Sequence, residues 1–160
     1  MFGAVLMTDI KIRALEDDDF EEASRMIFHT FYKYIMPTYT TEGIEFFRDT
    51  TSAMSFKMNT FDGSIVLWGA FDGDVLCGVL GSRGTNHICL FFTHKDYMGK
   101  GVGKKLFSHF LSLADKSDKI TVNASDYGIP IYEKLGFEVV GERYEDHGTV
   151  HTPMEYRRAE

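Results

Sequence analysis

The stretch Tyr97-Met-Gly-Lys-Gly-Val-Gly-Lys-Lys105 separates an apolar run, His87 to Thr93, from an amphipathic one, about Gly101 to Ala114. Glycines at alternate positions allow a tight turn and bring main-chain N–H groups close to a ligand. Val102, Leu106, Phe110 and Leu113 recur at helical spacing, so a helix begins inside the glycine stretch. Its first amides have no intrahelical acceptor, and its positive dipole end faces the same space. Strand, glycine loop and helix N-terminus in that order form an anion site that needs no side-chain ligand. Residues 94–105 carry a net charge of +3, from Lys95, Lys100, Lys104 and Lys105 against Asp96, in a chain of net −7. The glycines by themselves also fit a plain helix entry under a solvated lysine face. The P-loop spacing fails, because only three residues separate Gly99 from Gly103 and Lys105 follows Lys104. The dinucleotide fingerprint fails too, because Lys104 stands where its third glycine would be.

The rest of the chain frames this loop. Ile10, Ile12 and Ala14 alternate with Lys11 and Arg13 as in a half-buried strand. Asp17, Asp18 and Asp19, with Glu21 and Glu22 following, predict a capping box at a helix start, and Pro37 stops that helix. A second helix is expected from Thr41 to about Met58. Asp72-Gly73 between apolar runs predicts a hairpin of 64–71 with 74–83 through a type I′ turn. His87 to Thr93 adds a third strand to the meander. After the polar turn 116–119 come a strand over 120–123 and a short helix from about Tyr127 to Leu135, ending at Gly136. Closing strands are expected over 137–144 and 149–156, around Asp146-His147-Gly148. The order β-α-α-β-β-β-α-β-α-β-β gives an α/β fold of the α+β type, a mixed sheet with helices on both faces.

At 160 residues the chain predicts one domain, over 8–160. Residues 1–7 are apolar but too short and too poor in basic residues for a signal or membrane span. They read as an unstructured extension, and the protein as cytoplasmic and without a membrane partner. The net negative charge argues against a nucleic-acid partner and mildly favours a cationic amine. Cys77 and Cys89 cannot make a disulfide framework and suit a reducing compartment. His87, Cys89 and His94 do not read as a metal site, because alternate strand positions separate their faces.

The segment Met98-Gly-Lys-Gly101-Val-Gly103 resembles the signature loop of the GNAT-type N-acetyltransferases, Q/R-x-x-G-x-G/A. A second block, Thr121-Val-Asn123-Ala-Ser125 through Tyr132-Glu-Lys-Leu-Gly136-Phe137, resembles that family's Asn-x-Ser…Tyr-x-x-x-Gly-Phe segment. The departure is Met98, where the family has Gln or Arg; Met98 can still offer its N–H. The resemblance implies a GNAT-like fold whose sheet splays between the strands at 87–93 and 120–124. It implies acetyl-CoA as co-substrate, with no metal, and a primary amine of a small molecule or peptide as acceptor. Direct attack through a tetrahedral intermediate is the implied route. The alternative is a non-catalytic acyl-CoA-binding sensor; a homodimer is left open.

By position, amides of Phe91, Phe92 and Thr93 would pair with the pantetheine arm. Amides of Met98, Gly99, Lys100, Gly101, Val102, Gly103 and Lys104 would hold the pyrophosphate. Asn123 would bind the cofactor arm, and Tyr132 would serve the departing thiolate. A thiol titrates near pH 8.5 and a phenol near 10, so full proton transfer would be uphill by about 2 kcal/mol. A hydrogen bond to the developing anion is at least as good a device. An amine of pKa about 10.4 is neutral in only about one molecule in 2,500 at pH 7. His87, at the start of the strand beside the cofactor, is the first candidate base, ahead of His94. For both histidines a structural or surface role is the alternative. The resemblance implies that the first two helices help wall the acceptor pocket; they are rich in aromatics (Phe28, Phe31, Tyr32, Tyr34, Tyr39, Phe46, Phe47), most of which helical spacing assigns to the core.

Overall fold

The computed structural model describes residues 9–116 and 119–158. The expected unstructured extension at 1–7 therefore lies outside the described residues, as do positions 117 and 118 of the 116–119 turn. The elements are β1 (Ile10–Ala14), α1 (Phe20–Tyr34), α2 (Thr41–Thr50), α3 (Ala53–Phe61), β2 (Val66–Asp72), β3 (Val75–Arg83) and β4 (His87–Thr93). There follow α4 (Val102–Leu113), β5 (Ile120–Ala124), α5 (Ile129–Leu135), β6 (Glu138–Val139), β7 (Tyr144–Asp146) and β8 (Thr149–Tyr156). The sheet order is β1-β2-β3-β4-β5-β8-β6, with β7 also on β8. All pairings are antiparallel except β4 with β5. This is the mixed sheet that the element order implies.

Each face of the sheet buries its own apolar cluster. Phe20, Ala23, Met26 and Ile27 of α1 and Phe56 of α3 pack with Leu67, Leu76, Val79 and Leu90 on one face. On the other, Val102, Leu106, Phe107 and Phe110 of α4, with Tyr132 of α5, pack with Leu80, Ile88, Ile120 and Val122. Gly78 sets how closely α4 approaches: a Cβ there would lie 2.8 Å from both Leu106 Cδ1 and Val102 Cγ1.

Local chemistry departs from the expected elements at four places. The expected helix over 41–58 is two helices. The Thr51 hydroxyl donates to the Phe47 carbonyl at 2.7 Å, and the Ser52 hydroxyl accepts from the Ser55 N–H at 3.1 Å, restarting the helix as a new N-cap. The cap before α1 sits one turn early: the Asp19 carboxylate accepts from the Glu16 N–H at 2.8 Å and binds Arg13 at 2.7 Å. In the first hairpin Asp72 pairs with Val75, so the turn residues are Gly73 and Asp74, with positive φ at Gly73 alone (59°). That is the II′ pattern. The I′ pattern occurs instead at His147 and Gly148, with φ of 52° and 78° between the paired Asp146 and Thr149. Finally, the strand expected over 137–144 is broken into β6 and β7. Gly141 passes so close to Pro153 that a Cβ there would lie 2.5 Å from its ring, and Pro153 has no N–H to offer a continuous ladder.

Candidate functional site

β4 and β5 are paired only at His87 with Thr121 and at Ile88 with Val122. Beyond that point β4 follows β3 out to Thr93, paired with Gly78, while β5 follows β8 out to Ala124, paired with Thr152. The two parallel strands thus part into a V. Main-chain groups of β4 that point away from β3 face the gap rather than a neighbouring strand.

A β-bulge sharpens the opening. Gly81 opposes Leu90 and Ser82 opposes Ile88, which leaves Cys89 as the extra residue. Ile88 consequently packs on the α4 face and Leu90 on the α1 face, although two residues apart on one strand they would otherwise share a face. No sequence signal marks this bulge, because 87–93 is a continuous apolar run without glycine or alternation.

The glycine loop lies beyond the end of β4. Gly99 and Gly101 hold φ of 74° and 87°, the left-handed region that glycine enters without strain. Gly101 is the N-cap of α4, and its carbonyl accepts from the Lys105 N–H at 3.1 Å. The amides of Val102, Gly103 and Lys104 precede that first helical bond and have no intrahelical acceptor. Gly103 is small for a packing reason: a Cβ there would stand 3.2 Å from the Phe91 ring. A cradle of bare main chain therefore adjoins the open end of the V. This fits a diphosphate.

A cleft of about 920 Å³ runs through the V. It is lined by His87, Phe91, Phe92, Thr93, Met98, Gly99, Gly101, Gly103, Lys104, Asn123 and Tyr132. Lys100 and Val102 are the two expected site residues outside that lining. The Val102 side chain is buried in the α4 core, and the Lys100 ammonium sits 5.8 Å from the centre of the Tyr97 ring. Lys105 Nζ donates to the Ile10 carbonyl at 2.6 Å, tying α4 to β1.

Tyr132 is almost fully buried, its ring edge-on to Phe91 and Phe137 at 5.9 and 5.2 Å. Burial, with a smaller contribution from Cys89, pushes its phenol well above the ordinary value and keeps it an O–H donor. The same burial pushes the Cys89 thiol up to about 11, so it is no thiolate nucleophile at neutral pH. His87 Nδ1 lies 2.7 Å from the Thr121 hydroxyl across the parallel pair. Burial first, then the Arg83 charge, lowers the His87 pKa, so the imidazole is neutral at pH 7. His94 has a structural task instead, accepting from the Asp96 N–H at 3.1 Å to cap the turn over 95–97.

The cleft also takes in Tyr39, Phe46 and Phe47, from α2 and the segment before it, where helical spacing assigns most aromatics to the core and the resemblance implies an acceptor wall. Tyr127, Tyr144 and His151, which sequence reasoning passes over, line it from the β5–α5 loop and β7–β8. The α2 segment is anchored across the fold by the Thr40 N–H, which donates to the Gly148 carbonyl at 3.1 Å. Contacts between segments so distant in the chain leave no local spacing to read. Among the described residues no three His, Cys, Asp or Glu side chains cluster to hold a metal, and no helix is long and apolar enough to cross a membrane.

Residues 35–158 match the family model described as an acetyltransferase (GNAT) domain. No curated protein matches the chain. Among solved structures, a GCN5-related N-acetyltransferase from Rhodopseudomonas palustris is similar at TM-score 0.79 and 21% identity, covering 98% of this chain and 100% of that one. The PaiA N-acetyltransferase of Thermoplasma acidophilum, solved with coenzyme A, is similar at 0.75 and 20%, covering 93% and 99%. A spermidine N-acetyltransferase from Vibrio cholerae, solved with CoA and spermine, is similar at 0.64 and 15%, covering 92% and 95%. At these identities the likeness is one of fold.

Proposed function

The chain belongs to the GNAT acetyltransferase family, and on that premise we propose that it transfers the acetyl group of acetyl-CoA to a primary amine of a small molecule or peptide. The observation that carries the reading is a continuity. One cleft joins the cradle of Gly99, Gly101 and Gly103 to the opened strands and to Tyr132. A diphosphate at the cradle would be met by main-chain amides and the positive end of α4, with Lys104 at its edge. The coenzyme arm would run along the unpaired edge of Phe91 to Thr93, opposite Asn123. Met98 lines the cleft, and its main-chain N–H would serve such a cradle without the family's polar side chain.

The amine attacks the thioester carbon directly, a C–N bond forms, and collapse of the tetrahedral intermediate breaks the C–S bond; the proton that the nitrogen sheds as the amide forms ends on the departing thiolate, which leaves as free thiol. No acyl-enzyme is required, which agrees with the raised Cys89 pKa. Tyr132 hydrogen-bonds the departing sulfur. Its raised pKa makes full proton transfer less favourable than for an ordinary phenol, so it acts as a fixed dipole rather than a proton donor. His87, held neutral and oriented by Thr121, takes the proton that the ammonium must lose. For Nε2 to be the base, Nδ1–H must donate to the Thr121 oxygen. The reaction takes place in the cytoplasm of the cell.

The test is thiol release from acetyl-CoA over a panel of amines, beside calorimetric CoA binding. Amine-dependent release is the expected result. CoA binding without release on any amine would replace an enzyme with a sensor.

A further inference from the structure

The aromatic residues of α2 and the segment before it do not all go to the core. Phe47 lies edge-on to Phe92, centroids 6.1 Å apart, and stacks on Phe31 at 3.9 Å. Tyr39 continues the array against Phe31 at 5.4 Å, and Phe46 stacks on the His147 ring at 5.3 Å and 14°. Tyr39, Phe46 and Phe47 all line the cleft. The wall therefore begins at Phe92, a strand position beside the acetyl end of the coenzyme arm, and leads away from it.

The threonine hydroxyls along this wall are spent. The Thr51 and Thr50 hydroxyls donate to the Phe47 and Phe46 carbonyls at 2.7 and 3.0 Å, and the Thr30 hydroxyl donates to the Thr93 carbonyl at 3.4 Å. Carboxylates are scarce in the cleft. Among the described residues the cleft lining holds one carboxylate, Asp146, against three cations, Arg83, Lys104 and Lys134. Asp146 already lies 2.8 Å from His147 Nδ1. Arg83 stands close enough to the candidate base to depress its pKa.

From this we infer that the acceptor is a monoamine with a flat apolar body rather than a polyamine, an inference that rests on the acetyl-transfer reading. A monoamine gives up its charge when His87 takes the proton, and its neutral body can then lie against the rings. A polyamine retains further ammonium groups, which would lose water in a cleft whose lining offers them a single carboxylate among the described residues, Asp146. That scarcity of carboxylates separates this chain from what a polyamine site needs.

The test compares initial rates of thiol release from acetyl-CoA with phenethylamine, hexylamine and spermidine, using the full chain. The expected kcat/KM for phenethylamine exceeds that for spermidine by about 100-fold, with hexylamine between. Phe46→Ala, at a half-exposed position that folding tolerates, should lower the phenethylamine value by about tenfold and leave CoA affinity unchanged. Spermidine used as well as phenethylamine, or Phe46→Ala lowering both amines equally, would overturn the inference while leaving acetyl transfer intact. No release with any amine by a protein that binds CoA would overturn acetyl transfer, and this inference with it.

Discussion

The two ends of the cleft are built from different materials. The end proposed for the coenzyme is main chain: left-handed glycines at 99 and 101, the first amides of α4, and the unpaired edge of β4. The end proposed for the acceptor is side chain: rings from α2, the His87–Thr121 pair, and residues of β7 and β8. A main-chain site depends on where glycine is. A side-chain site depends on which distant segments meet, and its specificity can change without disturbing the fold.

The sharpest way to break this contrast is at Gly101. Gly101→Glu forces a side chain into left-handed backbone at φ 87° and places a negative charge against the proposed diphosphate. CoA affinity is expected to fall by about 100-fold or more, roughly 2.8 kcal/mol, by calorimetry. Unchanged affinity in a folded variant would remove the main-chain cradle from the account. Next in size is Tyr132→Phe, which keeps the ring packed on Phe91 and Phe137 but deletes the hydroxyl. Loss of one donor to the developing anion is expected to cost about 100-fold in kcat, with CoA affinity unchanged. An equal loss in affinity would make Tyr132 a binding residue rather than a stabiliser of the leaving thiolate.

The acceptor end should respond to a change in scaffolding alone. A Cβ on Gly43 would stand 2.1 Å from the Gly148 carbonyl oxygen, so Gly43→Ala must shift α2 away from the β7–β8 turn. We expect a loss of about 1–3 kcal/mol in thermal or chemical unfolding and a raised KM for the amine, while CoA affinity holds. A matching fall in CoA affinity would show the two ends to be one mechanical unit.

This division also explains how far the sequence was legible. The loop at 97–105, the 120–137 block and the meander carry local signals, because glycine spacing, turn residues and short-range periodicity act within a few positions. The split at Thr51–Ser52 turned on which hydroxyl bonded back into its helix, and the broken strand at Gly141 turned on the proximity of Pro153, a partner on β8. The bulge at Cys89 had no residue to announce it. Thr121 read only as an ordinary strand residue until the parallel register set it beside His87. Helical spacing assigns most of the aromatic residues at 28–47 to the core, yet Phe31 is wholly buried while Phe46 is 45% exposed in the cleft. Periodicity assigns a face; it does not say whether that face meets core or cavity.

The smallest expected effect is electrostatic and confined to the acceptor end. His87 must be neutral to accept a proton, so kcat/KM falls as pH drops through its pKa. That pKa is lowered first by burial and then by Arg83. Arg83→Ala removes the charge and leaves the burial, because Arg83 is an exposed residue at the end of β3 whereas His87 is held between β3 and β5. The acid limb should therefore move to higher pH, toward the ordinary imidazole value but short of it, and the rate well above neutrality should stay the same. CoA affinity, set by main chain at the other end, should not change. Addition of salt to the wild-type protein should move the limb in the same direction, because it screens the same charge. A limb that stays put in both experiments, or moves to lower pH, would assign it to another group and leave His87 as a strand-end residue bonded to Thr121.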